Sequence, residues 1–86
     1  MSYVQELADK LARDVLESQD ELGDDRFYEQ VSRVLMAASP TFQEAYMTAV
    51  RMRLAERRGR EFFEKALAAK GKGEAAPEAP KDLSAH

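Results

Sequence analysis

Apolar residues recur at helical spacing in three stretches of the chain, and each stretch predicts a helix. In the first, over residues 2–22, the apolar positions step by three and four residues, which places them on one face of a 3.6-residue helix. Gly23 is the predicted C-terminal cap, because glycine enters the left-handed conformation without a Cβ penalty. The apolar face consists of Val4, Leu7, Ala8, Leu11, Ala12, Val15 and Leu16.

A second, shorter helix is predicted over residues 25–38. Asp24 or Asp25 is its predicted N-cap, since a carboxylate at that position accepts hydrogen bonds from the free N–H groups of the first turn. The apolar face of this helix consists of Phe27, Val31, Val34, Leu35 and Ala38.

The junction at Ser39 and Pro40 ends the second helix and begins a third. Proline disfavours the helical conformation of the residue before it but fits the first turn of a new helix. Ser39 is therefore the predicted N-cap, with Pro40 at the first helical position. Thr41 and Glu44 offer a competing capping-box spacing two residues later.

The third helix is predicted over residues 40–70 and is the longest. Small and aromatic residues recur along it at three- and four-residue steps, a spacing typical of the heptad seam through which two helices stay in contact. The seam consists of Phe42, Ala45, Ala49, Met52, Ala55, Gly59, Phe62, Ala66 and Ala69.

Gly59 leaves two alternatives for this segment. A glycine inside a helix costs about 1 kcal/mol relative to alanine, so residues 60–70 could form a separate short helix. Phe62 and Phe63 would then fold back onto the first helix and join the core. One continuous helix is favoured, because the seam passes through Gly59 without a phase break and the flanking residues are mostly strong helix formers.

Residues 71–86 contain glycine, proline, alanine and charged residues without apolar periodicity, which predicts a flexible tail. The fold class is thus all-α: a three-helix bundle or helical hairpin with a long third helix, forming one helical domain over residues 1–70. With 86 residues and no cysteine, the chain has no disulfide or thiolate metal site to compensate for a thin core.

Charge and hydropathy narrow the range of possible partners and cellular locations. Residues 1–50 carry ten acidic and four basic side chains, whereas residues 51–70 carry seven basic and three acidic ones. This asymmetry indicates either a charged partner or neutralisation of a basic helix by acidic helices within the fold. No stretch approaches the roughly 20 apolar residues needed to span a bilayer, and no secretory signal is evident, so a cytoplasmic location is expected.

Candidate catalytic and metal-binding residues are few. The single histidine, His86, lies at the end of the predicted tail, where nothing positions it as a base or ligand. The carboxylates Asp20, Glu21, Asp24 and Asp25 lack the spacing of a calcium loop and are better explained by helix termination and capping. We therefore expect neither an enzyme nor a cofactor.

Basic residues between positions 51 and 60 raise the question of nucleic-acid binding. A basic helix after a short helix and a tight turn superficially resembles a helix–turn–helix protein. The arginines lie far from the start of their helix, however, and the sequence pI is about 5.1. Nucleic-acid binding is accordingly an alternative and not the leading hypothesis.

The leading hypothesis is a regulatory or adaptor protein that binds another protein, or itself as a homodimer, through the third helix. Aromatic residues and arginine most often dominate interface energy, and methionine adapts to irregular surfaces. The predicted partner-contact residues are Tyr46, Met52, Arg53, Arg57, Arg60, Phe62, Phe63 and Leu67.

In size and helical plan alone, the chain resembles bacterial antiactivators, which are small proteins that sequester transcriptional regulators. No diagnostic motif accompanies this resemblance, so it counts as analogy. It implies an inhibitor that occupies a surface of a transcriptional regulator. The alternatives are an accessory structural subunit of a larger complex and a nucleic-acid binder.

Overall fold

The computed structural model describes residues 2–80 and contains three helices in that range, without strands: α1 (Tyr3–Leu22), α2 (Phe27–Ala38) and α3 (Pro40–Lys72). The all-α prediction is confirmed. The chain divides into two compact units: unit 1 comprises residues 1–54, and unit 2 comprises residues 55–86. Part of the predicted tail, including His86, lies outside the described residues.

Local capping chemistry fixes both ends of α1. The Ser2 hydroxyl accepts a hydrogen bond from the Gln5 amide at 3.1 Å, and the Gln5 side chain accepts one from the Ser2 amide, forming a capping box. At the other end Gly23 has a φ of 69°, and its N–H donates to the Asp20 carbonyl. The predicted glycine cap is therefore confirmed.

The start of α2 differs from the prediction. Its N-cap is Arg26, and neither Asp24 nor Asp25 caps the helix. The Asp24 carboxylate instead accepts from the Arg26 amide at 2.9 Å, two residues on, in a turn that precedes the helix. A free N–H of the first turn, that of Tyr28, donates to the side-chain oxygen of Gln19 in α1 at 3.2 Å. The Gln19 side chain, which belongs to another helix, thus accepts a first-turn hydrogen bond of the kind expected of Asp24 or Asp25.

The junction before α3 follows the prediction. The Ser39 hydroxyl accepts a hydrogen bond from the Phe42 amide at 3.2 Å, and Pro40 is the first helical residue. The helix therefore begins at the predicted serine cap and not at the competing capping box of Thr41. α3 continues through Gly59, which confirms the favoured alternative and excludes a separate helix over residues 60–70. A Cβ at Gly59 would meet no atom within 4 Å, so packing within this chain does not require a glycine there.

Unit 1 has a core built from all three helices. Ala8 and Ala12 of α1 are fully buried, and their small side chains leave room for Tyr46 and Val50 of α3, which are fully buried as well. Val34, placed on the inner face of α2 by its spacing, is 68% exposed. The partly buried residues packed against the core are Leu11, Phe27, Tyr28, Val31, Leu35, Phe42, Ala45, Met47, Ala49 and Leu54.

Unit 2 consists of the rest of α3 and the residues that follow it. α3 ends two residues later than predicted, at Lys72, where Gly73 adopts a φ of 74°. The Gly73 amide donates to the Lys70 carbonyl and the Glu74 amide to the Ala69 carbonyl, at 3.2 and 2.8 Å. These are the hydrogen bonds of a Schellman cap. The C-terminal end of α3 is therefore closed by glycine in the same way as that of α1.

None of the helices described over residues 2–80 combines the length and apolar character needed to cross a bilayer.

Candidate functional site

The predicted partner-contact residues fall in both units. Those in unit 1 are Tyr46, Met52 and Arg53, and those in unit 2 are Arg57, Arg60, Phe62, Phe63 and Leu67. Their surroundings differ sharply between the two units.

Tyr46 belongs to the core, which corrects its placement on a contact surface. Its side chain is fully buried, and its hydroxyl donates to the Tyr28 carbonyl of α2 at 3.0 Å. Burial disfavours the charged phenolate and raises the pKa of Tyr46 to about 12. A residue held in this way stabilises unit 1 and is not available to a partner.

Arg53 is engaged within unit 1. Its guanidinium donates two hydrogen bonds to the Asp9 carboxylate of α1, both at 2.8 Å, which is the bidentate geometry that arginine and carboxylate favour. Hydrogen bonding from Arg53 lowers the pKa of Asp9, and the same contact raises the pKa of Arg53. This predicted partner-contact residue therefore joins α1 to α3.

Met52 is 69% exposed and lies at the edge of a shallow groove between α1 and α3 in unit 1. Small side chains of α3 form one wall of this groove, and polar side chains of α1 form the other. Besides Met52, the groove is lined by Gln5, Asp9, Ala45, Thr48 and Ala49.

Unit 2 carries three exposed apolar residues of the predicted contact surface. Phe62, Phe63 and Leu67 are 37%, 55% and 57% exposed, and we call these three residues the aromatic face. Among residues 55–80, α3 is the only helix, so the aromatic face has no second helix of its own unit to pack against. An open groove beside it is lined by Phe63, Ala66, Leu67, Lys70, Glu74 and Ala76.

The two remaining arginines of the predicted surface are exposed. Arg60 pairs with Glu56 one turn earlier, the Nε–Oε2 distance being 2.8 Å, and this contact raises the pKa of Arg60. Arg57 forms no ion pair with any described residue. An exposed pair such as Arg60–Glu56 contributes little to stability.

The predicted heptad seam requires a correction. From Phe42 to Met52 its steps are three, four and three residues, but the next step, from Met52 to Ala55, is again three. Two consecutive three-residue steps rotate the later apolar row by about 100° around the helix relative to a true heptad. The seam is therefore two rows on different faces of α3, and the change falls at the division between the units.

The described part of the chain offers no metal centre. Within residues 2–80, no three histidine, cysteine, aspartate or glutamate side chains are gathered closely enough to hold an ion. Of the four carboxylates on either side of Gly23, that of Asp24 already accepts hydrogen bonds from the Arg26 amide and the Gln30 side chain, in the turn before α2.

Comparison with other proteins returns no relative: no known protein family, no curated protein and no solved structure matches the chain.

Two residues that stabilise unit 1, Gln19 and Asp9, were not predicted from the sequence. Gln19 is 7% exposed, and its position four residues after Val15 and seven after Ala12 puts it on the apolar face of α1. A polar residue in phase with that face could have been recognised as a buried hydrogen-bonding group. Asp9, in contrast, carries no signal in the sequence, because its partner Arg53 lies 44 residues away.

Proposed function

We propose that this chain is a non-enzymatic regulatory or adaptor protein that acts by binding another protein through the aromatic face of unit 2. The observation that carries the proposal is the exposure of Phe62, Phe63 and Leu67 on a helix that has no second helix in its own unit. Adjacent apolar side chains exposed on a helix favour docking, and buried aromatic residues often dominate the binding energy.

Unit 1 supports a protein that folds before it meets its partner. It has a core of its own, and every buried side-chain polar atom among the described residues is hydrogen-bonded. That is the behaviour expected of a regulator, whereas an obligate subunit commonly lacks a stable fold alone. The specific form we propose is an antiactivator-like inhibitor in the cytoplasm that sequesters a transcriptional regulator.

The contacts of the arginines weigh against nucleic-acid binding. Arg53 is paired with Asp9 and Arg60 with Glu56, so two of the five arginines between positions 51 and 60 have carboxylate partners within the chain. These arginines also lie in the middle of α3, whereas a recognition helix contacts base edges with its N-terminal residues.

Capture from the native host tests the proposal. Tagged wild-type chain is compared with a Phe62→Ser/Phe63→Ser variant and with Leu67→Ser. The control is Val34→Ser, which removes an apolar side chain of similar exposure from α2. We expect the aromatic-face variants to lose the partner that the wild type and the control retain, as measured by quantitative mass spectrometry.

Circular dichroism on the same proteins separates binding from folding. Helicity and the urea midpoint should stay near the wild-type values in all three variants, because the substituted side chains are exposed. Unfolding of both aromatic-face variants would make these residues core and overturn the proposal. Retention of the captured partner by folded variants would overturn it as well.

A further inference from the structure

We infer that the side of α3 centred on Phe63 pairs with the same side of a second copy of this chain, with the two helices antiparallel about a two-fold axis at Phe63. This pairing uses the aromatic face of the proposed function but needs no other protein, so it goes beyond that function. Two symmetries of unit 2 carry the inference: opposite charges lie at equal distances from Phe63, and so do a very small and a large residue.

The charges are those of Glu56 and Lys70, seven residues before and seven residues after Phe63 on α3. At 100° per residue each lies within about 20° of Phe63 around the helix, so the three side chains share one row. Both charged side chains are exposed, and Lys70 forms no ion pair with any described residue. The row therefore carries one negative and one positive charge, each about 10 Å from its central aromatic residue.

An antiparallel pair brings these opposite charges together at both ends of the contact. In a two-fold symmetric interface each contact occurs twice, so Glu56 of each copy lies opposite Lys70 of the other while the two Phe63 rings meet at the axis. The Glu56 carboxylate pairs with Arg60 of its own chain and has lone pairs left for a second donor. A parallel pair would instead place Glu56 against Glu56 and Lys70 against Lys70, so charge selects the antiparallel orientation.

Gly59 and Leu67 repeat this symmetry, four residues on either side of Phe63. In the antiparallel pair, Leu67 of one copy, which is 57% exposed, lies at the level of Gly59 of the other. Glycine is unfavourable inside a helix, and a Cβ at Gly59 would meet no atom of its own chain within 4 Å. Packing within one chain therefore does not explain the glycine, whereas in the pair it lets the second backbone approach and leaves room for Leu67.

The paired surface is short. Residues 56–70 span about 21 Å of helix at 1.5 Å per residue. The C-terminal half of this surface is the open groove lined by Phe63, Leu67 and Lys70 among others. A contact of this length is smaller than the interfaces of permanent complexes, so the dimer should dissociate on dilution. Because the proposed partner protein would use the same aromatic face, the dimer and that complex exclude each other.

Sedimentation velocity of the full-length chain at increasing concentration tests the inference. The charge variants are Glu56→Lys and Lys70→Glu, each of which turns both attractions across the dimer into repulsions. The matched controls are Glu61→Lys and Lys65→Glu, which make the same changes of charge at exposed positions two residues on either side of Phe63. These control positions lie about 160° from Phe63 around α3 and so point away from the second copy.

We expect the wild type and both controls to dimerise with similar affinity. Each charge variant alone should dimerise about tenfold more weakly, or less, because two attractions become two repulsions. An equimolar mixture of the two charge variants should dimerise again, since each then supplies the charge that the other lacks. Loss of folding could not produce this rescue, and circular dichroism of every variant checks its helicity.

Cysteine cross-linking determines the orientation, since the chain has no cysteine of its own. Glu56→Cys and Lys70→Cys are oxidised separately and as a mixture. The antiparallel pair predicts a disulfide between the two variants in the mixture and none within either variant alone. Disulfides that form efficiently within each variant alone would show a parallel pair and overturn the inference.

Two sedimentation results would also overturn it. One is a wild-type chain that stays monomeric up to millimolar concentration, which would leave the aromatic face to another protein. The other is a dimer whose affinity the charge variants change no more than the Glu61→Lys and Lys65→Glu controls do, which would place the contact elsewhere on the chain.

The dimer and the proposed function fail separately. If the chain is monomeric but Phe62→Ser/Phe63→Ser loses its host partner, the proposed function stands and the dimer falls. If the antiparallel dimer forms but the folded Phe62→Ser/Phe63→Ser variant keeps the host partner, the dimer stands and the proposed function falls.

Discussion

The two units of this chain use apolar residues in opposite ways. In unit 1 two large side chains of α3, Tyr46 and Val50, are fully buried against α1 and α2, although Met52 is exposed. In unit 2 the large apolar side chains of the same helix, the aromatic face, are 37–57% exposed. Since the helix is continuous, the difference arises from which side of α3 carries the apolar residues and from what packs there.

The change of side is visible in the residue spacing. Tyr46 and Val50 are four residues apart and define the side of α3 that faces the core of unit 1. Gly59, Phe62 and Ala66 define the apolar row of unit 2, and at 100° per residue this row lies on nearly the opposite side of α3 from Tyr46 and Val50. The apolar residues of α3 therefore contribute to the core in unit 1 and are exposed in unit 2, as the proposed binding of another protein requires.

Truncating one aromatic residue in each unit tests this comparison most strongly. Tyr46→Ala should lower the free energy of unfolding by about 3–5 kcal/mol, because it empties a fully buried site and removes the hydrogen bond to the Tyr28 carbonyl. Phe63→Ala, at an exposed position, should cost less than about 1 kcal/mol. Urea unfolding followed by circular dichroism measures both. Similar costs for the two variants would remove the distinction between the units.

Removing the Gln19 side chain of α1, which accepts a hydrogen bond from the first turn of α2, should destabilise unit 1 by a smaller amount. Gln19→Ala should cost about 1–2 kcal/mol, because the Tyr28 amide, in the partly buried first turn of α2, loses its acceptor. Asp25→Ala is the matched control, since Asp25 is exposed and caps nothing, and it should change stability by less than about 0.5 kcal/mol. A larger loss from Asp25→Ala than from Gln19→Ala would restore the aspartate as the cap of α2.

The helices were predictable because their signals are local. Gly23 ends α1 and Ser39 begins α3 through hydrogen bonds to residues within a few positions, and such chemistry can be read from neighbouring letters. The start of α2 was not predictable in this way, because its first turn is capped by Gln19, nine residues before Tyr28 and on another helix.

The candidate site was predictable in part. Phe62, Phe63 and Leu67 drew attention because they sit among charged residues, and they are exposed as that setting suggested. Tyr46 was misplaced because the small residues Ala45 and Ala49 appeared to define the contact row, whereas the buried side of α3 lies next to them. Which of two neighbouring faces is buried depends on the packing of α1 and α2, and the spacing within α3 does not contain that information.

The ion pair between Asp9 and Arg53 gives the smallest expected effect and the only one that depends on pH in the acid range. Asp9→Asn should cost less than about 1 kcal/mol at neutral pH, because the two side chains are 40% and 33% exposed and solvent screens their attraction. Asp20→Asn, at an exposed position of α1, is the control.

The sign of the pH dependence follows from the lowered pKa of Asp9. A carboxyl group whose pKa is lower in the folded chain than its ordinary value of 3.8 stabilises the fold fully above 3.8. This contribution is lost as the pH falls through the lower pKa of the folded chain, because below it Asp9 is protonated in both the folded and the unfolded chain. The difference in free energy of unfolding between wild type and Asp9→Asn should therefore be constant near neutral pH and shrink below 3.8. A difference that grew on acidification would mean that Arg53 does not hold the Asp9 carboxylate in solution.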